Sequence, residues 1–87
     1  MAVIYSLTGD SPMERYENLG GDSGVAAFEH GPNYIRVRFL DGAQYLYTDT
    51  SAGPGNIEQM KRLAVFGQGL NTFINRVTRK KYARQER

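Results

Sequence analysis

A β-hairpin near the centre of the chain is the feature that most constrains the fold. Residues 34–40 and 43–48 are rich in strong β-formers and flank an Asp41-Gly42 pair, a dipeptide typical of tight hairpin turns. Residues 25–29 have the composition of a further strand, and turn-forming residues separate them from the hairpin. The sequence therefore predicts an antiparallel three-stranded meander.

The register of this hairpin determines which face its tyrosines occupy. If two residues form the loop, the arginines of residues 34–40 share a face with Tyr45 and Tyr47. If Leu40 joins the loop, Gly42 takes a positive φ in a bulge, the tyrosines turn to the core and the arginines turn outward. A shift of one residue moves every side chain to the other face. We favour the bulged form because it gives the cleaner apolar face.

The second half of the chain carries two amphipathic helical patterns. Asn56 is a candidate N-cap, and the apolar residues after it recur at helical spacing up to Gly67, a natural helix stop. A second stripe begins at Leu70, has Phe73 at its centre and is expected to continue to about residue 83. We expect Phe73 to be buried against the sheet. The predicted fold is α+β: a small antiparallel meander of three to four strands with two C-terminal helices packed on one face.

The length of 87 residues allows one domain, which we expect to span residues 1–87. Its N-terminal part, residues 1–24, is predicted to contain a strand at residues 3–7 and a loop. The meander follows over residues 25–48. The helical part, with a basic tail, is predicted over residues 56–84.

Several chemical functions are disfavoured by composition. The chain has no cysteine, which removes disulfides, thiolate metal sites and cysteine nucleophiles. Its single histidine, His30, lies among turn residues without a second histidine to complete a metal site. No apolar run is long enough to span a membrane, and the N-terminus does not resemble a signal peptide. We therefore expect a cytoplasmic protein that is not an enzyme, with no metal, no cofactor and no membrane partner.

Positive charge is concentrated at the C-terminus. The last twelve residues hold six Lys and Arg against one Glu, a sum of +5, although the whole chain carries only +2. Such a segment suits an anionic partner. The other reading is a solvated helix end, where the macrodipole favours cations. On a continuous helix, one side carries a row of cations able to follow a phosphate backbone: Arg76, Lys80, Arg84 and Arg87, with Arg79 beside them.

The hairpin and the helices together resemble the KTSC domain family, short modules that are also appended to some lysyl-tRNA synthetases. The resemblance covers about residues 24–82 and rests on the pattern Val37-x-Phe39-x-x-Gly42-x-x-Tyr45-x-Tyr47. Downstream, it rests on Gly69, Phe73, Asn75, Arg79 and Tyr82. The resemblance implies a small α+β module of unsettled function, for which nucleic acid is a candidate ligand. It implies no catalytic mechanism.

The predicted function is a non-enzymatic binding module that weakly binds RNA or DNA. The candidate contacts are side chains of the hairpin and the second helix: Arg36, Arg38, Asn75, Arg76, Arg79, Lys80 and Arg84. The alternative is a protein-interaction or assembly module that pairs with another protein chain through an exposed sheet edge. Nucleic-acid binding predicts strong salt dependence, whereas edge pairing predicts a concentration-dependent dimer with little salt effect.

Overall fold

The computed structural model describes residues 13–21 and 23–86, and an antiparallel sheet lies at its centre. Its strands are neighbours in chain order: β1 (Glu14–Arg15), β2 (Val25–Gly31), β3 (Tyr34–Phe39), β4 (Gln44–Thr48) and β5 (Arg84–Gln85). The helices are α1 (Asp49–Ala52), α2 (Pro54–Phe66) and α3 (Leu70–Phe73), and α3 continues into a π-helical segment, Ile74–Thr78. The predicted α+β class is confirmed. Among these residues, no helix is both long and apolar enough to cross a membrane.

The hairpin of β3 and β4 adopts the bulged register. Val37 pairs with Tyr45, and the Phe39 amide donates to the Ala43 carbonyl at 2.8 Å. Gly42 takes φ +94°, a conformation that L side chains rarely adopt. Tyr45 therefore lies on the same sheet face as Val37, as the favoured register predicts.

The core lies between this sheet face and the helices. Tyr47 is only 1 % exposed, and burial of its phenol raises its pKa to about 12. The largest fully buried side chains come from the sheet and from the helices alike: Tyr47, Phe28, Ile35, Ile57, Met60, Leu70, Val37 and Thr78. A sheet with one apolar face and helices with one apolar stripe bury both surfaces by packing together.

The N-terminal part adds a strand to the sheet. Glu14 of β1 pairs with Phe28 of β2 inside the region predicted as loop. With β5 as well, the sheet of the described residues has five strands rather than the predicted three to four. The buried Tyr16 follows β1, and its hydroxyl accepts a hydrogen bond from the Leu70 amide at 3.2 Å. This contact connects the segment to the start of α3. The strand predicted at residues 3–7 lies outside the described residues.

Helical structure begins earlier than predicted. The Thr48 hydroxyl accepts the Ser51 amide at 3.1 Å, and the Ser51 hydroxyl accepts the Thr48 amide at 3.0 Å. This capping box starts α1 directly after β4. Asn56 is not an N-cap, because α2 begins two residues before it, at Pro54. Its side-chain amide instead donates to the Ala52 carbonyl at 2.8 Å.

The second helix changes its pitch halfway. In the π-helical segment, hydrogen bonds span five residues instead of four, which widens the turn. The buried residues are therefore Leu70, Ile74 and Thr78, at a constant spacing of four. Val77, which the sequence stripe included, is 38 % exposed. Phe73 is only half-buried at the edge of the core, so the prediction of a buried Phe73 is wrong.

The basic tail is not helical. The π-helical segment ends at Thr78, and the chain turns and returns along the outer edge of β4 as β5. The predictions of a helical part over residues 56–84 and of a helix to residue 83 are therefore wrong beyond Thr78. Pairing of the tail with β4 satisfies edge groups that a helix would have left free.

Candidate nucleic-acid interface

Alternation along β3 places its arginines on the face opposite the core. Ile35 and Val37 are completely buried. Arg36 lies between them in sequence and Arg38 follows them, and both arginines point away from the helices. We call this the outer face of the sheet. It is an open groove lined by Arg36, Arg38, Gln44, Arg84 and Glu86.

Two carboxylates bind Arg36. Its Nε donates to Glu86 Oε1 at 2.7 Å, and its Nη1 donates to Glu29 Oε2 at 2.9 Å. A second contact, from Nη2 to Glu86 Oε2 at 3.3 Å, makes the Glu86 pairing bidentate. Arg36 therefore faces outward as predicted, but its charge is already compensated within the domain.

Glu86 accepts hydrogen bonds from three side chains. Besides Arg36, Gln44 Nε2 donates to Oε1 at 3.0 Å and Arg84 Nε donates to Oε2 at 3.2 Å. The hydrogen bond from Arg36 is the main cause that lowers the pKa of Glu86 to about 2, and the side chain is only 15 % exposed. Glu86 is thus an ionised carboxylate held in an arginine groove.

Tyr34 belongs to the same network. Its hydroxyl donates to Glu29 Oε2 at 2.9 Å, and this hydrogen bond raises the pKa of the phenol. The guanidinium carbon of Arg36 lies 5.6 Å from the centre of the Tyr34 ring, within cation–π distance. These contacts hold the ring and leave it half-buried, so Tyr34 is not a free platform for stacking a base.

Arg38 is the outer-face arginine with the fewest partners. Its side chain is exposed, and its Nε donates to Gln44 Oε1 at 3.3 Å. Within the described part of the chain it forms no ion pair. Arg38 therefore keeps its charge available to an external anion.

The basic segment, residues 76–81, forms a second group of cations. It contains four exposed side chains: Arg76, Arg79, Lys80 and Lys81. Across residues 13–21 and 23–86, none of these four is ion-paired. Asn75, just before the segment, is also exposed. The segment closes with a turn in which the Lys81 amide donates to the Thr78 carbonyl at 2.8 Å.

The predicted site residues thus belong to two groups rather than one. Arg76, Arg79 and Lys80 lie at the helix end and the turn after it, together with Asn75. Arg84 lies on β5, its side chain pairs with Glu86 at 3.2 Å, and it joins the hairpin arginines at the groove. The predicted helical row through Arg76, Lys80 and Arg84 is wrong, because the helix ends before Arg84.

Two contributors were missed from the sequence. In the sequence Glu86 is the single acid among six cations, and that isolation is its available signal. Lys81 lies outside the predicted set, although it completes the run that begins at Arg79. No sequence signal indicated that Glu86 would bind a residue fifty positions earlier.

His30 lies near the end of β2 with an exposed side chain. Its ring stacks on that of Phe28, with 6.0 Å between the ring centres and 6° between the planes. Among residues 13–21 and 23–86, no three His, Asp or Glu side chains lie together in a metal-binding arrangement.

The fold and this surface define a small α+β domain with an arginine groove on one sheet face and a basic turn at one sheet edge. Comparisons with protein families, with curated proteins and with solved structures found no match for this chain. The resemblance to the KTSC family therefore stays a prediction.

Proposed function

We propose that this chain is a non-enzymatic module that binds the phosphate backbone of RNA or DNA, mainly through the basic segment. The observation that carries the proposal is the group of four exposed cations at residues 76–81, none with a carboxylate partner in the described structure. Lysine and arginine side chains that neutralise phosphates release counterions, and this release drives sequence-independent binding.

The local charge supports a binding role over a purely structural one. Residues 76–83 contain four cations and no acid, so no internal partner lies within the segment. Three of the four cations, Arg79, Lys80 and Lys81, follow the end of the helix at Thr78, where the effect of the macrodipole fades within a turn. Stabilisation of a helix end therefore does not account for the whole group.

The arginines of the groove have different parts in this proposal. Arg38 adds a free cation on the outer face, whereas Glu29 and Glu86 offset Arg36 and Glu86 offsets Arg84. A phosphate would have to compete with these carboxylates. The basic segment and Arg38 are therefore the expected phosphate contacts, and the exposed Asn75 is the candidate for an additional hydrogen bond.

Pairing with another chain through a sheet edge is the weaker candidate. Both edge strands, Glu14–Arg15 and Arg84–Gln85, are two residues long, and short edge strands discourage pairing between proteins. The backbone amides of Ala83 and Glu86 also donate to β4 carbonyls, so the pairing edge of β4 is partly occupied. A concentration-dependent dimer that is insensitive to salt would favour this function instead.

The proposal is tested by fluorescence anisotropy with labelled random single-stranded RNA, single-stranded DNA and duplex DNA over a range of salt concentrations. We expect binding at low salt that weakens steeply as salt rises. The variant Arg79→Gln/Lys80→Gln should lower the slope of log affinity against log salt by about 1.4 on single strands and about 1.8 on duplex. Affinity should decrease to a similar extent for every sequence.

The matched control is Arg15→Gln/Arg62→Gln, which removes the same net charge. Both residues are exposed, and Arg15 lies on the opposite edge strand of the sheet. The control should keep the slope of the unmodified protein. Absence of binding at low salt, or equal losses in the two variants, would refute a site in the basic segment.

A further inference from the structure

The outer-face groove already holds an anion. The Glu86 carboxylate accepts hydrogen bonds from Arg36, Gln44 and Arg84 at distances between 2.7 and 3.3 Å. Forked pairing of a guanidinium with two oxygens is the geometry in which arginine binds carboxylates and phosphates alike. The donors are thus arranged for an oxyanion, and the domain supplies one itself.

We infer that Arg36, Arg38, Gln44 and Arg84 form a phosphate-binding groove that Glu86 closes from within, so that a nucleic-acid phosphate must displace this carboxylate to bind there. The inference rests on the proposed function, because it concerns the same ligand. It adds a second contact surface and an internal competitor for it.

The net charge of the groove explains why the Glu86 carboxylate would limit phosphate binding. With Glu29 and Glu86 in place, the three arginines of the groove leave a net charge of +1, and without Glu86 the net charge is +2. Glu29 contacts only Nη1 of Arg36. Displacing Glu86 therefore frees Nε and Nη2, the forked pair of donors that a phosphate needs.

Glu86 directly follows the short edge strand β5. Strand β5 is two residues long, and the amides of Ala83 and Glu86 bond to β4 at 2.6 and 2.7 Å. The Arg84 side chain is 64 % exposed. Tyr82, whose ring centre lies 4.7 Å from that of Tyr45, anchors the chain just before the strand. The Glu86 side chain can therefore be displaced while Arg84 stays on β5 and Tyr82 stays packed.

The groove and the basic segment lie on one path along the chain. Residues 76–81 lead directly into β5, whose Arg84 lines the groove. A strand of nucleic acid that follows the chain from the basic segment to β5 would reach Arg84 of the groove. Opening the groove should lengthen the contact rather than create a separate site.

The experiment compares Glu86→Gln with Glu58→Gln in the anisotropy titration, using single-stranded DNA and RNA. Glu58 is the matched control, because it is also ion-paired, with Lys61 at 2.8 Å on α2, and its loss changes the net charge equally. Glu86→Gln should bind roughly tenfold more tightly. Its salt slope should be steeper by about 0.7, for one freed positive charge on a single strand, because Glu29 still offsets Arg36. Glu58→Gln should keep the slope of the unmodified chain.

A double variant assigns the gain to the groove. Arg36→Gln in the Glu86→Gln background should abolish most of the gain in affinity. If β5 detaches in Glu86→Gln, Arg84 leaves with it, and the gain in affinity should then come from Arg36 and Arg38. Far-ultraviolet circular dichroism verifies that the domain remains folded.

The outcomes separate the inference from the proposed function. If the unmodified chain binds and Glu86→Gln behaves like Glu58→Gln, or its gain survives Arg36→Gln, the inference is overturned and the proposed function stands. If only Glu86→Gln binds, the groove is the site and the proposed role of the basic segment fails. If neither binds at low salt, both are refuted.

Discussion

Replacing Glu86 with Gln should lower the free energy of unfolding by about 1–2 kcal/mol at pH 7. The change keeps the size of the side chain and one acceptor oxygen, so it mainly removes the charge that pairs with Arg36 and Arg84. The separation of fifty residues between Glu86 and Arg36 makes this pair a direct measure of how firmly the tail is held.

The magnitude follows from the position of the carboxylate. Lowering its pKa from 4.5 to about 2, chiefly through the hydrogen bond from Arg36, would correspond to about 3 kcal/mol if the pair were fully shielded. The groove is open to solvent, and water screens the pair, so we expect roughly half of that value.

The effect should depend on pH in a defined direction. The folded pKa of Glu86 lies below its unfolded value, so its stabilisation is complete above about pH 4.5 and is lost as the pH falls towards 2. The facing groups Arg36 and Arg84 stay charged throughout this range. Glu29, the other carboxylate on Arg36, is present in both proteins and largely cancels in the comparison.

Urea denaturation followed by circular dichroism at pH 7 and pH 2.5 measures this difference. The unmodified chain and Glu86→Gln should differ at pH 7, and the difference should fall to about a quarter of that value at pH 2.5. A double-mutant cycle with Arg36→Gln should assign most of the loss to the pair. Equal stabilities at pH 7, or a difference that persists unchanged at pH 2.5, would refute the reasoning.

Two further predictions concern the fold. Gly42→Val should cost about 1–3 kcal/mol, because φ is +94° there and an added Cβ meets nothing within 4 Å, so backbone strain alone acts. Gly42→Asn should lower the free energy of unfolding by less than Gly42→Val does. If Gly42→Val leaves the stability in urea denaturation unchanged, the positive φ at Gly42 is contradicted. Phe73→Ala should cost about 2 kcal/mol, less than Leu70→Ala at about 2–5 kcal/mol, because Phe73 is half-buried and Leu70 fully buried. The opposite order in thermal or urea unfolding would contradict the observed packing.

The hairpin shows how far local sequence information reaches. Alternation with a period of two, together with Gly42, selected one register out of two, and the structure has that register. The same reasoning identified Gly67 as a helix stop, and Gly67 takes φ +88° at the end of α2. Both depend on residues close together in sequence, whose spacing and conformational limits can be read directly.

The second helix shows where that information ends. Its apolar stripe indicated a regular helix, but packing against Met60 selected Thr78 for burial, with its hydroxyl 3.6 Å from the Met60 sulfur. The π-helical turn that allows this spacing has no signature in the local pattern. Tertiary contacts therefore decided both the pitch of the helix and its end.

The candidate site divides in the same way. The sequence alone determined that the C-terminal segment is strongly basic and that Arg36 and Arg38 leave the core, because charge and alternation are local properties. Only the tertiary structure decided which of these cations remain free, because pairing β5 with β4 brings Glu86 to Arg36 across fifty residues. Such a contact depends on which surfaces meet after folding, and no spacing within the chain encodes it.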